Sequence, residues 1–280
     1  MTIARVLIIA GSDSGGGAGV QADIKTVTLL GGHAMTAITA ITAQNTLGVT
    51  GVHPIPVEMV IAQIDAVVSD IGVDAVKIGM IGSAAIVDAV ADRLDQPDLA
   101  QVPVVFDPVM IATSGSRLAD DATVAAFGRL MRRATVSTPN LDELAVLSGM
   151  GILDEVAVRT AAAYLIEELG SGAILATGCK WVGGEIIEAG KPPIPTDSQL
   201  FDILYMHQEG WQEWNWHAER IDTIHDHGTG CTLASAIATG VAQGMTLPDA
   251  ISRARDFVRA ALLAAPGLGQ GHGPMGHRAI

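Results

Sequence analysis

The sequence of 280 residues has few aromatic and few charged side chains. Aromatic residues make up 4%, charged residues 16%, and apolar residues 49% of the chain. Disordered chains are poor in apolar residues, so this composition argues against disorder and indicates a large core packed mainly from small aliphatic side chains. The length fits one large α/β domain or two small ones. We expect a single domain over residues 1–280.

Positive charge is also scarce. Sixteen Lys and Arg residues stand against 30 Asp and Glu residues, which gives a formal net charge of −14. A nucleic-acid-binding protein needs basic side chains to displace counterions from phosphates, so this balance disfavours a nucleic-acid partner. It leaves room for a phosphorylated small molecule, which a few backbone N–H groups and one cation can hold locally.

Cysteine and long apolar runs are nearly absent. Two cysteines, Cys179 and Cys231, cannot build a disulfide framework or a four-cysteine zinc site. No apolar run reaches the ~18–20 residues that span a bilayer. The first residues run into a strand pattern without the features of a secretory signal. We therefore expect a soluble cytoplasmic protein without a membrane partner.

Strand and helix patterns alternate along most of the chain. A β-rich segment at Arg5–Ala10 leads through the glycine-rich residues Gly11–Gly19 into a helix pattern over residues 20–30. A second β-branched stretch follows over residues 35–43. This order predicts a doubly wound α/β fold with a parallel sheet and crossover helices.

The end of the chain has clear helices and one irregular region. We predict the last two helices over residues 229–242 and 247–263. Residues 181–219 interrupt the alternation with Pro192, Pro193 and Pro195, followed by Trp211, Trp214 and Trp216, which predicts strands and loops of irregular length.

Polar and glycine-rich residues follow the predicted strands, where each strand ends. In an open parallel sheet, ligands bind outside the carboxyl ends of the strands. The sequence therefore predicts a ligand site at this edge of the sheet. The residues are Gly11–Gly19, Gln44, Asn45, Lys77, Gly79, Met80, Asp107, Asn140 and Gly178.

The first glycine-rich loop allows more than one explanation. It lacks the Lys-Ser/Thr pair of a phosphate-binding P-loop. Residues 17–22 fit a loose dinucleotide-binding pattern, but the second strand ends in Gln44-Asn45 and not in the acid that would bind a ribose. The remaining possibilities are a turn that approaches a ligand and a turn without one.

The second glycine motif, at residues 227–236, leads directly into an apolar helix. Free N–H groups and the helix dipole at such a terminus stabilise anions, and the glycines Gly228 and Gly230 permit close approach. Cys231 lies in the first turn, where the same field lowers a thiol pKa. The alternative is that Cys231 is a buried apolar side chain.

Three further polar residues also have a structural and a functional explanation. Asn140 and Glu143 have the spacing of a capping box, and Asp107 can cap a turn. Alternatively, the carboxylates Asp107 and Glu143 organise a magnesium ion. His225 and His227 lack a third ligand at metal-site spacing, so we interpret them as loop histidines and not zinc ligands.

Several segments together resemble one family over nearly the whole chain and in the same order. The sequence is similar to bacterial hydroxymethylpyrimidine/phosphomethylpyrimidine kinases. The segments are residues 11–26, 39–54 (TAITAQNTLGVTGVHP), 74–82 (DAVKIGMIG), 107–115 (DPVMIATSG), 138–143 (TPNLDE), 220–235 (RIDTIHDHGTGCTLAS) and 267–274 (GLGQGHGP).

The resemblance implies a ribokinase-like fold with three α/β/α layers and a central, mostly parallel sheet. It also implies ATP and magnesium as cofactors and a homodimer as the assembly. The implied reaction is phosphorylation of the hydroxymethyl group of 4-amino-5-hydroxymethyl-2-methylpyrimidine and then of the resulting monophosphate.

The resemblance also implies roles for individual residues. Gln44 and Asp23 would hydrogen-bond the aminopyrimidine, in a pocket lined by Gly11, Ala18, Met80 and Val109. Gly228, Thr229, Gly230 and Cys231 would form an anion hole, with Cys231 where most ribokinase-like enzymes place a catalytic aspartate. Asp107 and Glu143 would organise magnesium, and Asn140 would lie near the ATP phosphates.

The sequence departs from the family pattern at residues 176–180. Thr177 stands where many members have a lysine that would face the nucleotide phosphates. Two alternatives to the pyrimidine kinase remain. One is a pyridoxal or pyridoxine kinase on the same scaffold, which the paired donor and acceptor of Gln44 disfavours. The other is a non-catalytic pyrimidine-binding protein, which the retention of Asp107, Asn140, Glu143 and Cys231 disfavours.

Overall fold

The computed structural model describes residues 3–182, 185–186 and 199–278. Its strands are β1 (Arg5–Ala10), β2 (His33–Ile38), β3 (Ala40–Asn45), β4 (Gly48–Pro54), β5 (Ala75–Ile78), β6 (Val104–Phe106), β7 (Val136–Ser137), β8 (Ala173–Val182), β9 (Glu185–Ile186), β10 (Gln199–His207) and β11 (Trp211–Glu219). Its helices are α1 (Gly19–Leu29), α2 (Val57–Asp70), α3 (Ala84–Leu94), α4 (Asp121–Arg133), α5 (Leu141–Ser148), α6 (Glu155–Glu167), α7 (Thr229–Ala242) and α8 (Leu247–Leu263).

Within these residues, a nine-stranded sheet has the order β11-β10-β8-β7-β6-β5-β1-β2, with β9 also paired to β8. The pairs from β2 through β1, β5, β6 and β7 to β8 are parallel. The pairs of β8 with β9 and β10, and of β10 with β11, are antiparallel. The prediction of a doubly wound, mostly parallel sheet is therefore confirmed.

The side chains of β1 alternate between two apolar layers. Leu7 and Ile9 belong to the core under α2 to α6, whereas Val6 and Ile8 belong to the core under α1, α7 and α8. A strand covered by helices on both faces has to be apolar on both sides, as the run Val6–Ile9 is. The arrangement gives the three expected α/β/α layers.

The β-branched stretch at residues 35–43 forms two strands and not one. The chain turns at Thr39, whose Oγ1 donates a hydrogen bond to the Met80 carbonyl over 2.6 Å. After this turn β3 leaves the sheet and pairs antiparallel with β4. Ile41 and Val52 on this hairpin are 44% and 47% exposed, so β propensity alone did not distinguish it from a core strand. Gln44 therefore lies on a hairpin and not at the end of a sheet strand.

The region that interrupted the alternation is more regular than predicted. β10 and β11 are nine-residue strands that extend the sheet. Trp214 and Trp216 pack against the core under α8, and the Trp216 indole donates to Ser252 Oγ over 2.8 Å. The prolines at 192, 193 and 195 lie outside the described residues. Within the described part of the chain, no helix has the length and apolar character needed to cross a membrane.

Candidate active site

Asp13 organises the first glycine-rich loop. Its carboxylate accepts hydrogen bonds from the backbone N–H groups of Gly15, Gly17 and Ala18 over 2.8–2.9 Å, and the residue is 1% exposed. Burial raises the pKa of Asp13, but the hydrogen bonds from His227 and from the backbone outweigh burial and hold this pKa below its usual range. The loop is therefore wrapped around an ionised carboxylate.

The two glycine-rich motifs touch each other backbone to backbone. Gly228 has φ +89° and caps the N-terminus of α7. A Cβ atom at Gly228 would overlap the carbonyl oxygen of Gly17, and a Cβ at Gly17 would lie 2.6 Å from His227 Cδ2. Both positions therefore need glycine because the two loops approach too closely for any side chain.

Replacing Gly228 with alanine should cost more than backbone strain alone. Gly244 is the matched control, since its φ is +84° but a Cβ there would meet nothing within 4 Å. Gly244→Ala should lower the free energy of unfolding by about 1–2 kcal/mol. Gly228→Ala should lower it further and also reduce turnover, because the two loops must separate. Chemical denaturation and a turnover assay measure both effects; equal losses in the two variants would contradict the tight contact.

The N-terminus of α7 lies against Asp107. Gly230 is exposed in the first turn, where backbone N–H groups lack helical partners. A Cβ at Gly230 would lie 3.7 Å from Asp107 Oδ2. The residues expected to hold an anion and one carboxylate expected to organise magnesium are thus brought together.

Cys231 is half-buried in the first turn of α7. Burial, with smaller effects of Asp23 and Asp107, raises the pKa of this thiol to about 12, against the opposing effects of Lys77 and the Gly19 N–H. The expectation that the helix N-terminus lowers the thiol pKa is therefore wrong for the free site. Loss of hydration and two nearby carboxylates disfavour the thiolate at this position.

Asp23 forms a buried ion pair with Lys77. Both side chains are fully buried, Lys77 Nζ lies 2.9 Å from Asp23 Oδ2, and the Ser235 hydroxyl donates to Asp23 Oδ1 over 2.6 Å. The structure therefore contradicts the expectation that Asp23 binds the pyrimidine, because no surface of Asp23 is open to a ligand. Burial lowers the pKa of Lys77, but nearby negative charges, above all that of Asp23, raise it by a larger amount. The pKa therefore lies above its ordinary value, and Lys77 stays charged.

Asp107 and Glu143 form a buried carboxylate pair in which one oxygen atom lacks a hydrogen-bond partner. They are 5% and 8% exposed, and Asp107 Oδ2 has no hydrogen-bond partner. The pKa of Asp107 is raised to about 6, chiefly by burial. The pKa of Glu143 is raised to about 8 by burial and by the neighbouring charge of Asp107. Two buried carboxylates with an unpartnered oxygen fit the oxygen ligands that magnesium prefers.

Asn140 and Glu143 also form the predicted capping box. Glu143 N donates to the Asn140 side chain over 2.9 Å, and Asn140 N donates to Glu143 Oε2 over 3.0 Å. The structural explanation is therefore confirmed. Asn140 also bridges to Thr177, whose N–H donates to the Pro139 carbonyl over 3.0 Å, so the two residues expected near the nucleotide are neighbours.

The four residues expected to line the pyrimidine pocket lie around the same edge. A Cβ at Gly11 would come within 2.9 Å of Met80 Sδ, so these two residues are in contact. Ala18 is half-buried at the start of α1, and its Cα would lie 3.1 Å from a Cβ at Gly228. Val109 is half-buried two residues after Asp107. This places the residues expected to line the pocket near the N-terminus of α7.

Gln44 is half-buried next to His227, which the sequence predicts only as a loop histidine. His227 Nε2 lies 3.1 Å from Gln44 Nε2 and 3.0 Å from Asp13 Oδ2, and His227 Nδ1 lies 3.2 Å from Thr113 Oγ1. We missed Asp13, His227 and Thr113 as site residues. The aspartate two residues before Gly15 was the available signal, since such residues form side-chain turns. Among the described residues, no group of three potential metal ligands of the His, Cys, Asp or Glu type occurs.

Comparison with known proteins identifies the class and the family. Over residues 13–276 the sequence matches the family model for phosphomethylpyrimidine kinase. The hydroxymethylpyrimidine/phosphomethylpyrimidine kinase of Streptomyces coelicolor is 45% identical over 273 residues, covering 97% of this chain and 93% of that protein. The corresponding Haemophilus influenzae kinase is 39% identical over 276 residues, covering 98% and 97%.

Two solved structures show the same architecture. An ADP complex of Bacillus subtilis pyridoxal kinase has a TM-score of 0.82 at 34% identity, covering 99% of this chain and 98% of that one. The phosphomethylpyrimidine kinase of Clostridium difficile has a TM-score of 0.74 at 31% identity, covering 92% and 98%. The fold is thus that of the ribokinase-like small-molecule kinases. Within this class, the chain belongs to the phosphomethylpyrimidine kinase family.

Proposed function

We propose that this protein uses ATP to phosphorylate 4-amino-5-hydroxymethyl-2-methylpyrimidine and then its monophosphate, in thiamine biosynthesis. The observation that carries the proposal is the position of the Gln44 amide, half-buried beside the Gly11–Gly19 loop that meets the N-terminus of α7. An amide offers a donor and an acceptor together, which suits the ring nitrogen and amine of an aminopyrimidine.

Pyridoxal kinase activity is the second candidate. It is favoured by the higher TM-score to a pyridoxal kinase, 0.82, than to the Clostridium difficile phosphomethylpyrimidine kinase, 0.74. Overall backbone similarity reports the shared scaffold, whereas the substrate is selected by side chains in the pocket. We therefore place the pyrimidine kinase first. We also keep the homodimer as a prediction, which light scattering tests.

The site residues divide the work of phosphoryl transfer. Gln44 would orient the ring, and Asn140 and Thr177 would face the nucleotide. The first-turn N–H groups of α7 would stabilise the negative charge of the moving phosphoryl group. Asp107 and Glu143 would hold magnesium, which when bound neutralises phosphate charge. Cys231 would accept the proton of the substrate hydroxyl, and a loose transition state demands little base strength.

Gln44→Leu tests the assignment of the pyrimidine edge. The ring's polar edge would lose its hydrogen bonds, so the affinity for the aminopyrimidine should fall by about 1–3 kcal/mol. Binding titration by calorimetry measures the change. The control is Gln212→Leu, since Gln212 is exposed on β11 and its side-chain amide donates to the Gln208 carbonyl over 3.2 Å. Unchanged affinity in Gln44→Leu would remove Gln44 from the substrate site.

A further inference from the structure

The hydroxyl of Thr42 determines which end of the Gln44 amide can face it. Thr42 is 3% exposed, and its Oγ1 donates its only proton to the Ser12 carbonyl over 2.8 Å. The same oxygen lies 3.3 Å from Gln44 Oε1. Since the proton is already committed to Ser12, Thr42 Oγ1 can only accept a hydrogen bond from Gln44. The end of the amide next to Thr42 must therefore be the NH₂ group.

His227 leads independently to the same orientation. Asp13 Oδ2 lies 3.0 Å from His227 Nε2, and an ionised carboxylate only accepts hydrogen bonds. His227 Nε2 must therefore carry a proton. An NH₂ group 3.1 Å from that nitrogen would set two donors against each other, whereas an amide oxygen would accept the shared proton.

Both contacts are satisfied when the Gln44 amide is turned so that its oxygen and its nitrogen exchange places. Amide oxygen and nitrogen are assigned from their hydrogen-bond partners, and here two partners agree. Oε1 then accepts from His227, and Nε2 donates to Thr42. The backbone of Gln44 is held in place as well, because its N–H donates to Ser14 Oγ over 2.8 Å and its carbonyl accepts from the same hydroxyl over 2.7 Å.

We propose that His227, fixed by Asp13, is a positioning residue that sets the amide orientation of Gln44 and thereby the preference for an aminopyrimidine. The amide keeps one free lone pair on the His227 side and one free N–H on the Thr42 side. The lone pair accepts a hydrogen bond from the exocyclic amine of the ring, and the N–H donates a hydrogen bond to the adjacent ring nitrogen. This inference rests on the proposed function.

The test compares His227→Leu with His227→Gln, whose side-chain NH₂ group can replace the Nε2 donor. For the aminopyrimidine, His227→Leu should raise KM about twofold, because a freely turning amide presents the correct end only about half of the time. The kcat should change much less, and His227→Gln should restore most of the KM. With pyridoxal, which has no exocyclic amine on its ring, the KM shift should be smaller. His272→Leu is the control, since His272 is exposed and pairs with Asp226.

A second measurement keeps the proposal testable if His227→Leu does not fold. ¹⁵N NMR of the wild-type protein should show a protonated Nε2 on His227. An unprotonated Nε2 on His227 would overturn the proposal. A folded His227→Leu protein with wild-type KM for the aminopyrimidine would also overturn it. Failure of the proposed function is distinguishable, because the wild-type protein would then not phosphorylate the aminopyrimidine at all, while the NMR result would still report the orientation.

Discussion

Cys231→Ala should reduce kcat by about 10²–10⁴ while leaving the affinity for the pyrimidine nearly unchanged. The thiol lies in the first turn of α7, next to the glycines of the proposed anion hole, whereas Gln44 is the residue proposed to hold the ring. Loss of a proton acceptor affects the chemical step and not ring binding. Cys231→Asp, which introduces the usual acid of the wider class, should recover part of the loss.

The pH profile makes this prediction sharper. Burial raises the pKa of the Cys231 thiol to about 12, so the free site holds a thiol and not a thiolate at neutral pH. A proton-accepting Cys231 therefore predicts that kcat rises as the pH becomes alkaline. Cys231→Asp should reach its plateau at lower pH, because an ordinary aspartate has a pKa near ~3.9.

Two controls separate chemistry from packing. Cys179 is fully buried in β8, so Cys179→Ala should lower stability without changing kcat. In a Cys179→Ser background, alkylation of Cys231 should be slow at neutral pH, faster at alkaline pH, and slower again with bound substrate. If Cys231→Ala keeps the wild-type kcat for both phosphorylations, the thiol is only part of the packing.

The double variant Asp107→Asn, Glu143→Gln should lose turnover by about 10²-fold or more, since a lost magnesium contact costs several kcal/mol and each ~1.4 kcal/mol is tenfold. The fold should survive. Gln at position 143 retains an oxygen that can accept from Asn140 N, as Glu143 Oε2 does now. Activity across a magnesium titration, with circular dichroism to check folding, measures the effect. Asp142→Asn is the matched control because Asp142 is exposed in the same helical turn.

The carboxylate pair also predicts how magnesium binding depends on pH. Asp107 and Glu143 have pKa values raised to about 6 and about 8, chiefly by burial, and they titrate as a pair. Magnesium binds the ionised form, so its affinity should rise between pH 6 and 8 with release of protons. The double variant should lose this dependence; near-normal turnover in that variant at low magnesium would return both residues to capping roles.

The same pKa shifts set the sign of the pH effect on stability. Both folded-state pKa values lie above the ordinary range, so the metal-free folded protein binds these protons more tightly than the unfolded chain. The contribution of this pair to stability is therefore present at low pH and is lost as the pH rises through about 6 and about 8. Added magnesium should offset the loss, and thermal unfolding with and without the ion measures it.

The sequence predicted those parts of the molecule that follow from local pattern. α7 and α8 begin and end at the predicted residues because their apolar periodicity is continuous and their N-termini have a glycine and a threonine cap. The doubly wound α/β architecture followed from the alternation of strands and helices. The hairpin of β3 and β4 was missed, because its exposed Ile41 and Val52 resemble residues of a buried strand.

At the site, residue types were predictable but environments were not. Asp23 and Lys77 are 54 positions apart, and only the folded structure reveals that they neutralise each other in the core. The raised pKa of Cys231 depends on burial and on the charges of Asp23 and Asp107. These contributions come from residues distant in sequence, so the position of Cys231 at a helix N-terminus does not reveal them. The contact between Asp13 and His227 joins residues 214 positions apart, so no local pattern could have predicted it.

The most direct test of the proposed function is the choice of substrate. ADP release should be measured with the hydroxymethylpyrimidine, with its monophosphate and with pyridoxal, at saturating ATP and magnesium. The proposed function predicts turnover of both pyrimidines. It also predicts a kcat/KM for the hydroxymethylpyrimidine at least about tenfold above that for pyridoxal, because a substrate without the amine leaves the Gln44 acceptor unpaired. A higher kcat/KM for pyridoxal, or no turnover of either pyrimidine, would contradict it.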